Sequence, residues 1–142
     1  MSKRIIKYLK NNKQEDIMNS NSVRLDDASL EKVSGGYFGP TEHVIKVTAA
    51  NYNTVINSAP TAFISFGAFW AGPCTMLSDV LEQLGSETQG TAVVGVVDVD
   101  DEPDLCKKLG IIYVPTTIKY KNGAEVQREV GYHPIDTWRK MI

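Results

Sequence analysis

Residues 62–77 read AFISFGAFWAGPCTML. The first part, AFISF (62–66), is an unbroken apolar run between Thr61 and Gly67, the pattern of a strand buried on both faces. From Cys74 the period changes, with Met76, Leu77, Val80, Leu81 and Leu84 recurring at helical intervals. Pro73 stands just ahead, in the first helical turn, where its missing N–H is no loss because that group has no intrahelical partner anyway. A buried strand therefore runs through the turn Trp70-Ala71-Gly72-Pro73 into a helix. Whatever that turn displays is held at a helix N-terminus, whose aligned amide dipoles favour negative charge.

The flanks repeat the alternation. Upstream, VIKV (44–47) is a short strand and residues 50–57 a helix, which Ala59-Pro60 breaks. Downstream, AVVGVVDV (92–99) is a second buried strand, and residues 101–109 form a helix stopped by Gly110. TTIKY (116–120) and EVQREV (125–130) are joined by Lys121-Asn122-Gly123-Ala124, with Asn-Gly as the hairpin signal. Residues 135–142 make a final short helix. The order βαβαβαββα predicts an α/β fold. Strands separated by helices pair in parallel through right-handed crossovers, and the terminal hairpin adds antiparallel pairing. One mixed central sheet with helices on both faces results.

Residues 44–142 resemble the thioredoxin family in one register. The turn of that family reads Trp-Cys-Gly-Pro-Cys; here it reads Trp70-Ala71-Gly72-Pro73-Cys74. Val114-Pro115-Thr116 resembles its cis-proline loop, residues 97–111 its third strand and following helix, and Lys121-Asn122-Gly123 with Gly131 its hairpin and the glycine beyond. The resemblance implies a thioredoxin fold and a lineage in thiol–disulfide exchange. It also implies a shallow groove for a peptide or a protein thiol or disulfide substrate, built from Trp70, Gly72, Pro73, Val114, Pro115 and Gly131. Phe69 and Tyr132 would flank that groove as exposed aromatics.

The departures bear on activity. In the family the first cysteine is an exposed thiolate that attacks a substrate disulfide, and the second, more buried, resolves the mixed disulfide. Ala71 stands at the attacking position, and a methyl group is no nucleophile. Cys74 remains at the resolving position. Ser65 occupies the place of the family's buried Asp proton carrier, and Val96 that of its Lys neighbour. As written, the chain lacks the dithiol cycle; either the lineage has lost it, or Ala71 replaces an original cysteine of an active oxidoreductase. A third reading is a secreted binding or signalling cargo on the same scaffold. Cys106 reads as a small hydrophobe on the 101–109 helix. His133-Pro134 reads as a turn, and the acidic run Asp98–Asp104 as a solvated helix start rather than a calcium loop.

The charge splits near residue 36. Residues 1–36 carry seven Lys/Arg against five Asp/Glu, net +2, and the remainder eight against twelve, net −4. The first segment is rich in Asn, Lys and Ser, with Tyr8 as its one aromatic residue. Such a composition buries too little apolar surface to offset its ordering entropy and predicts a flexible leader. Lys10 and Lys13 interrupt any apolar stretch a secretory signal peptide needs. RLDDASLEKVSGG (24–36) is different: Asp26 or Asp27 caps a short helix, with Leu30 and Val33 on one face and Leu25 near it. This stretch resembles the end of a double-glycine leader of the bacteriocin type. The resemblance implies recognition of Leu25, Leu30 and Val33 by a peptidase-containing ABC transporter. It further implies a cut after Gly35-Gly36, so that the mature chain begins at Tyr37. The domains are then 1–36, leader, and 37–142, thioredoxin-like. Synthesis would be in the bacterial cytoplasm, with the mature form exported.

Composition narrows the remaining classes. The chain of 142 residues is 42% hydrophobic and 23% charged, which excludes a collagen-like or wholly disordered chain. No apolar run approaches the ~18 residues of a membrane-spanning helix, so no stable membrane anchor is expected. A net charge of −2 argues against nucleic acid as a partner. Two cysteines are too few for a disulfide scaffold. His43 and His133 lie far from both, so no metal site and no cofactor are expected.

Overall fold

The computed structural model describes residues 21–25 and 36–142. In chain order these form β1 (Val23–Arg24), β2 (Ile45–Lys46), α1 (Tyr52–Ile56), β3 (Thr61–Gly67), α2 (Gly72–Glu87) and β4 (Ala92–Asp98), then α3 (Pro103–Leu109), β5 (Tyr113–Val114), β6 (Thr116–Lys121), β7 (Ala124–Val130) and α4 (Ile135–Arg139). The main sheet has the order β2-β4-β3-β6-β7. β2, β4 and β3 run parallel, while β6 and β7 are antiparallel to their neighbours. This is the mixed sheet that the alternation of elements predicts, in the thioredoxin fold that the resemblance implies.

β3 lies at the centre, and every one of its residues is buried. That is why AFISF carries no alternation: both faces of the strand are covered. β2 is shorter than the expected 44–47. Ile45 and Lys46 are exposed, and the buried side chains are the flanking Val44 and Val47. α1 is trimmed at both ends to Tyr52–Ile56, and α4 stops at Arg139. Tyr52 and Tyr120 share a hydroxyl hydrogen bond across the core, their rings edge to face at 5.9 Å. Trp138 of α4 stacks edge-on to Phe63 at 6.2 Å and donates its indole N–H to the His133 carbonyl at 3.0 Å. The hairpin turn has Asn122 and Gly123 at φ 51° and 83°, the backbone that Asn-Gly favours between twisted strands.

A two-stranded ribbon sits apart from the main sheet. Its members are β1 and β5, antiparallel, with Val23 opposite Val114 and Arg24 opposite Tyr113. The sequence gives no expectation of this ribbon. Leu25, expected to precede a short helix near its apolar face, directly follows β1. Asp26, Asp27, Leu30, Val33 and Gly35 lie outside the described residues.

Candidate functional site

The turn Trp70–Cys74 hands the chain from β3 to α2. Ala71 is the N-cap of α2, with φ −100° and ψ 115°, and its carbonyl accepts the Cys74 and Thr75 N–H groups. Alanine offers no side-chain oxygen to cap the first turn, and the N–H groups of Cys74 and Thr75 turn to its backbone carbonyl instead. The turn is pinned by Trp70, whose indole N–H donates to Asp100 Oδ2 at 2.8 Å. Expected as part of an exposed apolar surface, Trp70 is in fact 1% exposed. Buried indoles seek a hydrogen-bond partner, and Asp100 in the turn after β4 supplies it. Phe69 is the aromatic that faces outward, at 46% exposure. Gly72 is exposed and Pro73 half-buried.

Cys74 and Ala71 are both fully buried. Burial pushes the Cys74 thiol up to about 12, and a backbone hydrogen bond with Ala68 opposes this only in part. At neutral pH about one thiol in 10⁵ is then ionised, which makes Cys74 a poor nucleophile. The residues expected to have replaced the proton carrier are neighbours: Ser65 pairs laterally with Val96 on one side and Thr117 on the other. Its hydroxyl is engaged with the Thr117 hydroxyl at 2.7 Å. The pair is neutral, self-satisfied and buried, so it has no carboxylate with which to draw a proton from Cys74.

Three of the expected groove residues are joined directly. The Val114–Pro115 peptide is cis, and the Gly131 N–H donates to the Pro115 carbonyl at 2.7 Å. All three residues are buried. Along their outer side runs the segment Asn21–Leu25. The Tyr132 N–H donates to the Asn21 carbonyl at 2.8 Å, and the Leu25 N–H to the Ile112 carbonyl at 2.8 Å. Trp70 connects to this group through Asp100, which lines one cleft together with Leu25, Val99, Pro103, Cys106 and Ile111. Sequence reading missed this contribution of residues 21–25. The available signal was period two: Val23 and Leu25 alternate with Ser22 and Arg24.

Other candidates resolve into structural parts. Cys106 is a free, buried thiol pushed up to about 11, chiefly by burial. His133 lies against the Val130 carbonyl at 3.2 Å and packs edge-on to Trp138 at 5.8 Å. Asp98 accepts the Asp100 N–H, and Asp104 sits in the first turn of α3. Among the described residues Glu42, His43 and Glu82 bring ligand atoms within 4.8 Å of one another. Their geometry is that of a tether, since both the His43 backbone N–H and its ring nitrogen bond to Glu82.

Comparison with known proteins agrees with this architecture. The family model described as Thioredoxin matches residues 43–142. Thioredoxins of Staphylococcus aureus, strains Mu50 and MW2 among them, are 35% identical over 99 residues, covering 70% of this chain and 94% of theirs. A solved structure of a mutant thioredoxin from Halobacterium salinarum NRC-1 superposes with a TM-score of 0.66 at 30% identity. It covers 75% of this chain and 93% of that one. On the sheet order, the cis-proline loop and these matches together, the chain belongs to the thioredoxin family.

Proposed function

We propose that this chain is the precursor of an exported thioredoxin-like protein that has kept the family's substrate groove and lost its dithiol cycle. The observation that carries the reading is the pair of residues at the head of α2. Ala71 has no sulfur, and Cys74 is fully buried with its thiol held protonated up to about 12. A disulfide reductase needs an accessible thiolate to attack and a second thiol to resolve. Here the first is absent and the second is shielded, so the remaining chemistry is slow mixed-disulfide formation at Cys74. The surface beside Val114, Pro115 and Gly131 keeps its backbone geometry and serves binding. Its partner is an extended peptide or a protein thiol or disulfide, the substrate class of the family. No cofactor or metal enters the reading.

The leader reading belongs to the same proposal. Residues 1–36 direct the precursor to a peptidase-containing ABC transporter, which reads Leu25, Leu30 and Val33 and cuts between Gly36 and Tyr37. The mature domain then acts outside the cytoplasm. Tyr37 is exposed while Phe38 is buried in the core, which supports a domain edge at this point. No helix among the described residues is long and apolar enough to cross a membrane.

The test is insulin reduction in the presence of dithiothreitol. The chain should show no catalysis above the reagent alone, and turnover would overturn the reading. Ala71→Cys should give weak turnover only, because Ser65 cannot relay the proton of the resolving thiol. Adding Ser65→Asp should raise that turnover by about 10²-fold, the usual worth of a positioned general base. Full activity from Ala71→Cys alone would show instead that only one sulfur separates this chain from an active oxidoreductase.

A further inference from the structure

The groove beside the cis-proline is not open in this chain. Residues 21–25 lie along it, with Val23–Arg24 as the strand β1, held at both ends and in the middle. The Asn21 carbonyl takes the Tyr132 N–H, Val23 pairs with Val114, and the Leu25 N–H bonds to the Ile112 carbonyl. Three side-chain relations accompany the backbone. Ser22 is buried at 1% exposure. The Arg24 guanidinium lies over the Tyr113 ring at 5.8 Å from its centre, within reach of a cation–π attraction. Leu25 is half-buried against the core and forms one wall of the cleft that Val99, Asp100, Pro103, Cys106, Lys107 and Ile111 complete. Gly131 makes room for the strand. An added Cβ there would lie 3.1 Å from both the Asn21 carbonyl oxygen and its Cβ, at a backbone φ of 95° that side chains avoid.

We propose that residues 21–25 are a built-in ligand of this groove: in the uncleaved chain they occupy, as an antiparallel strand on β5, the place an extended peptide takes in trans, and so keep the groove closed. The proposal rests on the groove function given above. The pairing is strand addition to an exposed edge, in which backbone bonds supply affinity and alternate side chains supply selectivity. The occupant shows that selectivity. It has a small residue at 22, a cation at 24 over Tyr113, and an aliphatic side chain at 25 packed as one wall of the cleft. Charge supports the match, since the segment up to residue 36 is net positive and the remainder net negative. Tethering makes the contact intramolecular, with an effective concentration on the order of millimolar for a short linker. A modest intrinsic affinity is therefore enough to hold the groove shut until the chain is cut.

The experiment uses the full chain and two variants, Val23→Pro, which removes a backbone donor from the ribbon, and Leu25→Asp, which replaces a packed aliphatic side chain by a carboxylate in a cleft wall that already holds Asp100. Amide exchange of Tyr132 is measured in each, with the Trp138 and Ile64 amides as internal standards of folding. A dye-labelled peptide spanning residues 19–27 is titrated against all three by fluorescence anisotropy. The expected result is a Tyr132 amide protected in the parent and exchanging at least about tenfold faster in both variants, with the standards unchanged. Both variants should also bind the peptide at least about tenfold more tightly than the parent, because the tethered competitor is gone. Equal Tyr132 exchange in all three chains, or peptide bound by all three with the same measurable affinity, overturns the built-in ligand. Loss of Tyr132 protection with no peptide bound by any of the three leaves the docked strand intact and removes the proposed binding function instead.

Discussion

Cys74 is a thiol kept from ionising, and that has a measurable consequence. At pH 8 a group with a pKa of about 12 is about 10⁻⁴ thiolate, against about a quarter for an ordinary cysteine. Iodoacetamide should therefore label native Cys74 about 10³ times more slowly than it labels glutathione. Cys106, at about 11, should be slow by about 10²-fold, and both should react at the ordinary rate in denaturant. Peptide mapping of the alkylated chain separates the two, and rapid native labelling of Cys74 would contradict the burial. The missing nucleophile is legible as a letter, Ala71, and so are Ser65 and Val96. Exposure is not legible at this scale. Trp70 looks like a surface aromatic in the sequence, but its fate is decided by Asp100, thirty residues on, and by the side chains that close over it.

Elements are where the sequence is most informative. The continuous apolar run gives β3, the change of period gives α2, and Asn-Gly gives the hairpin, because each signal is local. The ends of elements shift where tertiary contacts replace regular pairing, as at Val44 and Val47. The far end of α2 shows such a contact. The Thr41 hydroxyl, the His43 N–H and the His43 ring all bond to Glu82, and the His43 backbone crosses α2 at Gly85. A Cβ on Gly85 would stand 2.2 Å from the His43 carbonyl oxygen. Gly85→Ala should accordingly destabilise the fold by about 1–3 kcal/mol, the cost of overpacking against backbone, as read by urea unfolding. The same tether sets a pH window. Hydrogen bonds from Thr41 and His43 lower Glu82 from 4.5 to about 2, so its share of stability is present above pH 4.5 and lost as pH falls toward 2. The hydrogen bond to Glu82 raises His43 above 6.5. Its share is present below pH 6.5 and lost as pH rises through the folded value. Glu82→Gln should therefore cost most between pH 4.5 and 6.5 and less on either side. A stability difference flat in pH would show that the contacts act through shape alone.

For the whole molecule, the order of elements fixes the fold, whereas the attachment of residues 21–25 is hidden because a two-residue strand has no partner within its own stretch of sequence. Composition alone assigns that stretch to a poorly ordered leader; the edge of β5 changes the outcome by offering backbone groups, with the core beside it for Leu25 to pack against. The consequence reaches the proposed cut after Gly36. A Cβ on Gly36 would lie 2.5 Å from both the Phe69 carbonyl oxygen and the Thr75 Cγ2, so this backbone is pressed against the head of α2. Phe38, two residues beyond, belongs to the core. A peptidase must hold extended chain around the bond it cleaves, and here Gly36 and Phe38, on either side of that bond, are packed against the domain. Cleavage of the folded chain should therefore track the population of the opened form rather than the chemistry of the peptidase. Gly85→Ala is distant in sequence from the cut and leaves its residues unchanged, yet it should accelerate release of the fragment beginning at Tyr37. The acceleration should be about tenfold for each 1.4 kcal/mol of stability lost. The measurement is the rate of that fragment's appearance with a purified leader peptidase, at fixed enzyme and in a range of urea. A rate indifferent to both urea and Gly85→Ala would mean that residues 36–38 lift away without unfolding, and that the domain reaches its transporter still folded.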